Sequence, residues 1–375
     1  MHIVIDAHLA IKKIDGVARY LNGLLMELPK IDTSIKYTIL SLTHSKTSLP
    51  EDIFSYPNVK RIEVNLMGPS PKQHLIMRRL LKNLDADVYH HPQFDLPLGV
   101  TAPSVITIHD LKYIFFPEFL KKGSQLKRLY IKKSLQRSLK IADQVIAISQ
   151  NTLNDSKQLN SNVEKKASVI YHGVDIPKKL SEKKVQQIKK RFNISENFIL
   201  FVGTRRPHKN IDSLVRSLAI LRNTLNLDID LVVSGRAYSD YREPERLSRE
   251  LGLDSVTHFL DFVADNELPA LYQSAKVVAL VSFYEGFGFP ILEAMSYGIP
   301  VLGSNVTSIP EVVGDAGLLV DPHNPTEIAH KIYRIATDSH LNEKFSQAGL
   351  RRAKQFTWQA MAESTLNTYI KALRK

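Results

Sequence analysis

Short apolar runs alternate with amphipathic stretches along most of the chain. In the first half the runs predict strands at His2–Asp6, Tyr37–Leu42, Val59–Val64, Val88–His90, Val105–His109, Gln144–Ile148 and Ala167–Tyr171. Helical spacing falls between several of them, at Val17–Leu28, His74–Leu84 and Gln125–Ile141. In the second half the strands are Phe198–Val202, Ile229–Ser234, Val256–Phe259, Val277–Ser282, Pro300–Gly303 and Gly317–Val320, separated in part by helices such as Asn210–Leu225 and Glu327–Thr337. Such alternation predicts an α/β chain with parallel sheets covered on both faces. The polar, lysine-rich stretch 177–196 interrupts the pattern and reads as a linker. Two doubly wound, Rossmann-like domains are expected, at 1–176 and 197–357, with a last amphipathic helix at Trp358–Leu373.

The length of 375 residues and a hydrophobic content of 43% suit two domains with full cores. No apolar run is long enough to span a bilayer, and Met1–Asp6 reads as a strand rather than a signal peptide, so a cytoplasmic location is expected. The absence of cysteine removes disulfides, thiolate nucleophiles and cysteine-held metals. The net charge of +12 is uneven: residues 1–175 carry 24 Lys/Arg against 16 Asp/Glu. Eight of these cations lie between Phe119 and Ala142 with no acid among them. With Leu126, Leu129, Tyr130, Leu135 and Leu139 at helical spacing, residues 121–140 fit either an anionic membrane surface or an ordinary surface helix. No nucleic-acid recognition motif accompanies them.

The densest candidate chemistry is Glu285-Gly-Phe-Gly-Phe-Pro-Ile-Leu-Glu293, two carboxylates eight positions apart. Glu285 follows an apolar strand, and Pro290 can open a helix at its first position, placing Glu293 in the first turn. Gly286 and Gly288 let backbone N–H groups around Phe287 approach a ligand. A strand end, a glycine turn and a helix start together suit phosphates and polyols. A second cluster follows Gly203: Arg205, Arg206, His208 and Lys209, either a diphosphate clamp or a solvated basic loop. His109 with Asp110 ends a predicted strand and could contact a reacting sugar or simply be a satisfied structural histidine. Asp15-Gly16 follows the first strand, where Gly16 could let the loop near a ligand. There is no G-x-G-x-x-G fingerprint, Walker lysine motif or H-E-x-x-H, and adjacent His90 and His91 would point to opposite faces of a strand, so no metal site is expected.

The paired glutamates resemble the signature of retaining glycosyltransferases of family four, particularly its mannosyltransferase-like branch. Phe201-Val-Gly-Thr204 with Lys209-Asn210, Asp315-Ala-Gly317, Asp321-Pro322, Asp15-to-Tyr20, His109-Asp110 with Phe116-Pro-Glu118, and His172-Gly-Val-Asp175 resemble further elements of that family in register. The resemblance covers essentially the whole chain. It implies a GT-B fold, two Rossmann-like domains facing a central cleft, with residues 358–375 crossing back to the acceptor-binding N-terminal domain. It implies a nucleotide-sugar donor as substrate, with GDP-mannose favoured and UDP or dTDP sugars as alternatives, and no other cofactor. Glu293 would hold the ribose, Glu285 the sugar hydroxyls, Lys209 with Arg205 or Arg206 the diphosphate, and His109 the region of the anomeric centre. The glycines Gly16, Gly203, Gly286 and Gly288, with Phe287, would bring backbone to the donor. The chain departs from the family at Thr204 and His208, where relatives carry arginine.

The function expected is metal-independent, retaining transfer of a hexose to a growing, lipid-linked polysaccharide or lipopolysaccharide glycan, at the inner face of the cytoplasmic membrane. Rival readings are another GT-B activity, such as an epimerase or phosphorylase, or a silent sugar-nucleotide-binding scaffold.

Overall fold

A computed structural model of the chain describes residues 1–11, 16–43, 46–65, 71–119 and 125–374. Among them are thirteen strands: β1 His2–Asp6, β2 Lys36–Ser41, β3 Val59–Glu63, β4 Val88–His91, β5 Ser104–Ile108, β6 Gln144–Ala147, β7 Ala167–Val169, β8 Phe198–Val202, β9 Asp230–Ser234, β10 Thr257–Leu260, β11 Val277–Leu280, β12 Val301–Ser304 and β13 Leu318–Val320. The chain forms two compact units, Met1–Gly173 with Phe356–Lys375, and Val174–Gln355.

The first unit is built on a seven-stranded sheet of order β3-β2-β1-β4-β5-β6-β7, all pairs parallel. Alternation along β1 shows why both faces are covered. Ile3 and Ile5 join one core with helix Gly16–Ile31 and the terminal helix Trp358–Leu373. Val4 joins the opposite core with Met77, Leu81, Leu135 and Leu139 of helices Pro71–Lys82 and Gln125–Ile141. Trp358 lies so close to the first helix that a Cβ on Gly23 would sit 2.2 Å from its indole. Thr357 caps the terminal helix, its hydroxyl accepting from the Ala360 amide.

The second unit has a six-stranded parallel sheet of order β10-β9-β8-β11-β12-β13. Each sheet therefore has one place where its strand order reverses, β1/β4 in the first and β8/β11 in the second. In open parallel sheets ligands collect beyond the carboxyl ends of the strands at such a switch point.

The stretch expected as a linker, 177–196, is not one. Its helix Glu182–Arg191 packs into the second unit through Val185, Ile188 and Ala270, with Leu180 and Phe192 against them. The Leu180 amide also donates to Gln273 Oε1 at 2.7 Å. The lysines of this stretch mask a narrow apolar stripe at i, i+3 spacing. Among the described residues no helix is long and apolar enough to cross a membrane.

Candidate functional site

The loops leaving β8 and β11 meet at the switch point of the second sheet. Gly203 ends β8 with φ 152°, and its amide donates to Ser234 O at 2.9 Å. Gly235, beyond β9, has φ 147°; a Cβ there would lie 1.9 Å from Gly203 O, so only glycine fits. The chain then reaches Asn210, whose side-chain amide donates to Val281 O at 2.9 Å and Pro322 O at 2.7 Å. These bonds tie the basic loop to the end of β11 and to the Asp321-Pro322 turn.

This scaffold brings Lys209 to Glu285. Lys209 Nζ donates to Glu285 Oε1 at 2.6 Å and Oε2 at 2.8 Å. Ser282 Oγ donates to Oε1 at 2.7 Å. The Glu285 amide donates to Thr307 Oγ1 at 3.2 Å, and Ser308 Oγ lies 2.9 Å from Glu285 O and 3.0 Å from Phe287 O. The two charged side chains are only 16% and 12% exposed, so their attraction is weakly screened. Thr307 holds φ 57°, a costly left-handed conformation for a β-branched residue, of the kind that gathers at functional sites.

Helix Phe289–Ser296 follows, capped by Gly288 at φ 115°. Pro290 is its second residue and Glu293 its fifth, so Glu293 lies one position deeper than the spacing suggested. Phe289, not the proline, takes the first position because Gly288 already supplies the turn. Glu293 Oε2 accepts from Tyr272 OH at 2.5 Å, and Tyr272 stacks on Tyr297 with centroids 5.5 Å apart. A Cβ on Gly288 would press to 2.7 Å from Ile309, while Gly286 and the buried Phe287 complete the loop.

The two arginines separate. Arg205 is 2% exposed; it donates to Glu245 at 2.8 Å and Gly235 O at 3.1 Å, and also pairs with Asp261. Burial lowers its proton affinity, opposed by Glu245. Three acceptors of the second unit engage Arg205, which joins the ends of β8, β9 and β10. Arg206 is half-buried, with its guanidinium 3.5 Å from the Tyr238 ring centroid.

Gly16 and His109 belong to the first unit. Gly16 is exposed and begins the first helix, whereas Asp15 lies outside the described residues. His109 follows β5, donates through Nε2 to Pro92 O at 3.2 Å, and packs on Tyr20 and His172 at 5.0 and 5.9 Å. Asp110 pairs with Lys112 at 2.8 Å. His90 and His91 do face opposite ways: His90 bonds Thr107 and Tyr369, His91 bonds Asp6 and Asp95.

Sequence reading missed Ser282, Thr307, Ser308, Tyr272 and Gly235. Gly235 had a readable signal, a glycine directly after an apolar run, as at Gly203. Ser282 lies three residues before Glu285, and Tyr272, Thr307 and Ser308 contribute hydroxyls from more distant positions that no local pattern marks.

Residues 14–178 match the model of Glycosyltransferase Family 4, and residues 182–352 that of Glycosyl transferases group 1. The O-antigen chain mannosyltransferase B of Escherichia coli is 34% identical over 290 residues, 75% of this chain and 74% of that protein. Among solved structures, a glycosyltransferase from Rickettsia africae ESF-5 superposes with a TM-score of 0.78 at 18% identity, covering 100% of this chain and 99% of that one. Anabaena Alr3699/HepE, solved with UDP and glucose, gives 0.75 at 20% identity, covering 98% and 99%. These likenesses show the GT-B fold. With its Family 4 first half, its group 1 second half and a mannosyltransferase relative at this identity, the chain belongs to the family 4 glycosyltransferases.

Proposed function

We propose that this glycosyltransferase moves a hexose, with mannose favoured, from a nucleotide-diphosphate sugar to a growing, lipid-linked glycan, and that it retains the anomeric configuration without a metal. The observation that carries the proposal is the Lys209–Glu285 pair at the switch point of the second sheet. Lys209 and half-exposed Arg206 would bind the diphosphate, displacing part of the pairing to Glu285, which would turn to the sugar hydroxyls. Glu293, oriented by Tyr272, would hold the ribose. Gly203 and the backbone of Gly286, Phe287 and Gly288 would lie against the donor, beside a helix N-terminus that favours anions. Fixed cations stabilise negative charge on the leaving group as the glycosidic bond stretches. The departing phosphate would accept the acceptor's proton on the same face, which gives retention. Glu285 is therefore a hydroxyl ligand rather than a nucleophile. In the first unit Gly16 and His109 would serve the donor phosphates and the sugar, and the acceptor would bind there.

Mannose and GDP as donor rest on the Escherichia coli relative, an O-antigen chain mannosyltransferase. UDP remains a competing base because HepE was solved with it, and dTDP is the third to test. Incubation with each labelled donor and an oligomannoside acceptor, with NMR of the product linkage, tests the reading. One donor should yield an α-linked product from an α-linked donor. Inverted product, free epimerised donor or phosphate-dependent cleavage would overturn it.

The first unit would also touch an anionic bilayer. Helix Gln125–Ile141 exposes Leu126, Leu129 and Tyr130 beside Lys132 and Lys133, and helix Pro71–Lys82 exposes Leu75 and Ile76 beside Arg78, Arg79 and Lys82. Only Leu135 and Leu139 of the expected stripe enter the core; Lys121 and Lys122 lie outside the described residues. On this reading the protein would sit peripherally on the inner face of the cytoplasmic membrane. Anionic vesicles should bind it at low salt and release it at high salt. Indifference to anionic lipid at low salt would remove this part of the proposal.

A further inference from the structure

The first sheet carries its own charged cluster at its own switch point. Asp6 ends β1 and His8 lies two residues on; Tyr89 and His91 occupy one face of β4, and Asp95 follows. All are buried: Asp6, Tyr89 and His91 are fully inaccessible, His8 is 1% exposed and Asp95 4%. Asp6 is the hub. Its Oδ1 pairs with His8 Nδ1, and its Oδ2 accepts from Tyr89 OH at 2.8 Å and His91 Nδ1 at 3.1 Å. His91 Nε2 donates to Asp95 Oδ1 at 3.1 Å. With a carboxylate on each nitrogen, His91 is an imidazolium held between two anions.

His8 is held differently. Asp6 fixes its Nδ1, while its Nε2 is buried and has no hydrogen-bond partner among the described residues. A buried ring nitrogen left unsatisfied costs stability, and natural proteins keep few such groups without a use. Every other nitrogen of the cluster's two histidines is engaged. A carboxylate on Nδ1 fixes the tautomer, so Nε2 presents a lone pair. A hydroxyl is a donor that matches such a lone pair. The second sheet offers the parallel: there Lys209 and Glu285 bridge the strands at the reversal, and here Asp6, His8, His91 and Asp95 do so.

We infer that His8 is an acceptor-binding residue: Asp6, clamped by His91 and Tyr89, orients its imidazole so that Nε2 receives a hydrogen bond from a hydroxyl of the acceptor glycan. This rests on the proposed binding of acceptor by the first unit. Asp6, Tyr89, His91 and Asp95 are positioning residues.

The test compares wild type with His8→Asn, His8→Ala and Asp6→Asn. An asparagine amide can keep the donor to Asp6 but has no group where Nε2 stood. Acceptor KM with a synthetic oligomannoside, melting temperature and the thermal shift given by nucleoside diphosphate are measured together. His8→Asn should keep its melting temperature and its nucleotide shift while acceptor KM rises at least tenfold. A wild-type acceptor KM in His8→Asn, with His8→Ala losing only thermal stability, would overturn the inference. If wild type transfers no sugar, the functional proposal has failed separately. Saturation-transfer NMR of the same oligomannoside then decides His8: signal lost in His8→Asn supports the inference, and equal signal in both proteins refutes it.

Discussion

Lys209 Nζ stands 2.6 and 2.8 Å from the two carboxylate oxygens of Glu285, joining the loops of β8 and β11 where the strand order of the second sheet reverses. On the proposed function, a diphosphate would compete for the lysine while sugar hydroxyls would take up the released carboxylate. The ligand would then meet groups already desolvated and positioned, which lowers the cost of binding.

Lys209→Ala should lower kcat/KM by about 10²–10³-fold, the loss of roughly 2.7–4 kcal/mol seen when one preorganised donor to developing charge is removed. Glu285→Gln should fall by a similar factor. The double variant should fall by less than the product of the two, because contacting residues couple. Steady-state kinetics of all four proteins measure the cycle; strict additivity would mean the pair does not act as a unit.

Arg205 and Arg206 should separate in their phenotypes. Arg205→Ala takes the buried guanidinium from Glu245, which keeps only the exposed Arg242 at 3.0 Å, and should lower the melting temperature by several degrees. The exposed Asp261 adds little. Arg206→Ala should leave the melting temperature unchanged and weaken donor binding. The reverse pattern would return Arg205 to the diphosphate.

Tyr272→Phe should raise the donor KM several-fold with kcat nearly unchanged, since it removes only the hydroxyl that orients Glu293. Glu293→Ala should do so more strongly. A fall in kcat alone would mean that Glu293 works in the transition state rather than on the ribose.

Stability should peak near neutral pH. Burial alone would lower the proton affinity of His91, but the hydrogen bonds to Asp6 and Asp95 outweigh it and raise its pKa to about 9. Its stabilisation is complete below the unfolded value of about 6.5 and is lost as pH rises through about 9. His90 moves the other way, to about 3, through burial and the neighbouring His91 and His109; His172 is lowered by burial and His109. Both are neutral in the fold and take protons on unfolding, so their contribution is lost as pH falls below about 6.5. Chemical denaturation from pH 4 to 10 measures the curve, and His91→Gln should flatten its alkaline side. A stability that keeps rising from pH 7 to 9.5 would contradict the buried imidazolium.

The strands were nearly all readable because each is a short apolar run closed by polar residues. His2–Asp6 and Phe198–Val202 match to the residue, and the rest differ by one or two positions at an end. The linker failed because its stripe of Val185 and Ile188 is outnumbered by lysines, and sequence cannot see the helix Leu268–Ser274 that covers it. At the site, Glu285 and Lys209 were readable as residue types in motifs. Their pairing was not, since it depends on the bonds of Asn210 to the distant Val281 and Pro322 and of Glu285 to Thr307. Arg205 and Arg206 are adjacent and chemically identical; only the placement of Glu245 and Asp261 tells them apart. His91 was read only as failing to share a metal with His90, because its partner Asp6 lies 85 positions away.

The most direct measurement is the thermal shift given by GDP, UDP, ADP and dTDP, without added metal, on wild type, Lys209→Ala and Glu293→Ala. One diphosphate should raise the melting temperature of wild type, and the shift should be strongly reduced in both variants. No shift with any nucleotide, or a shift that survives both substitutions, would contradict a donor site built on Lys209, Glu285 and Glu293.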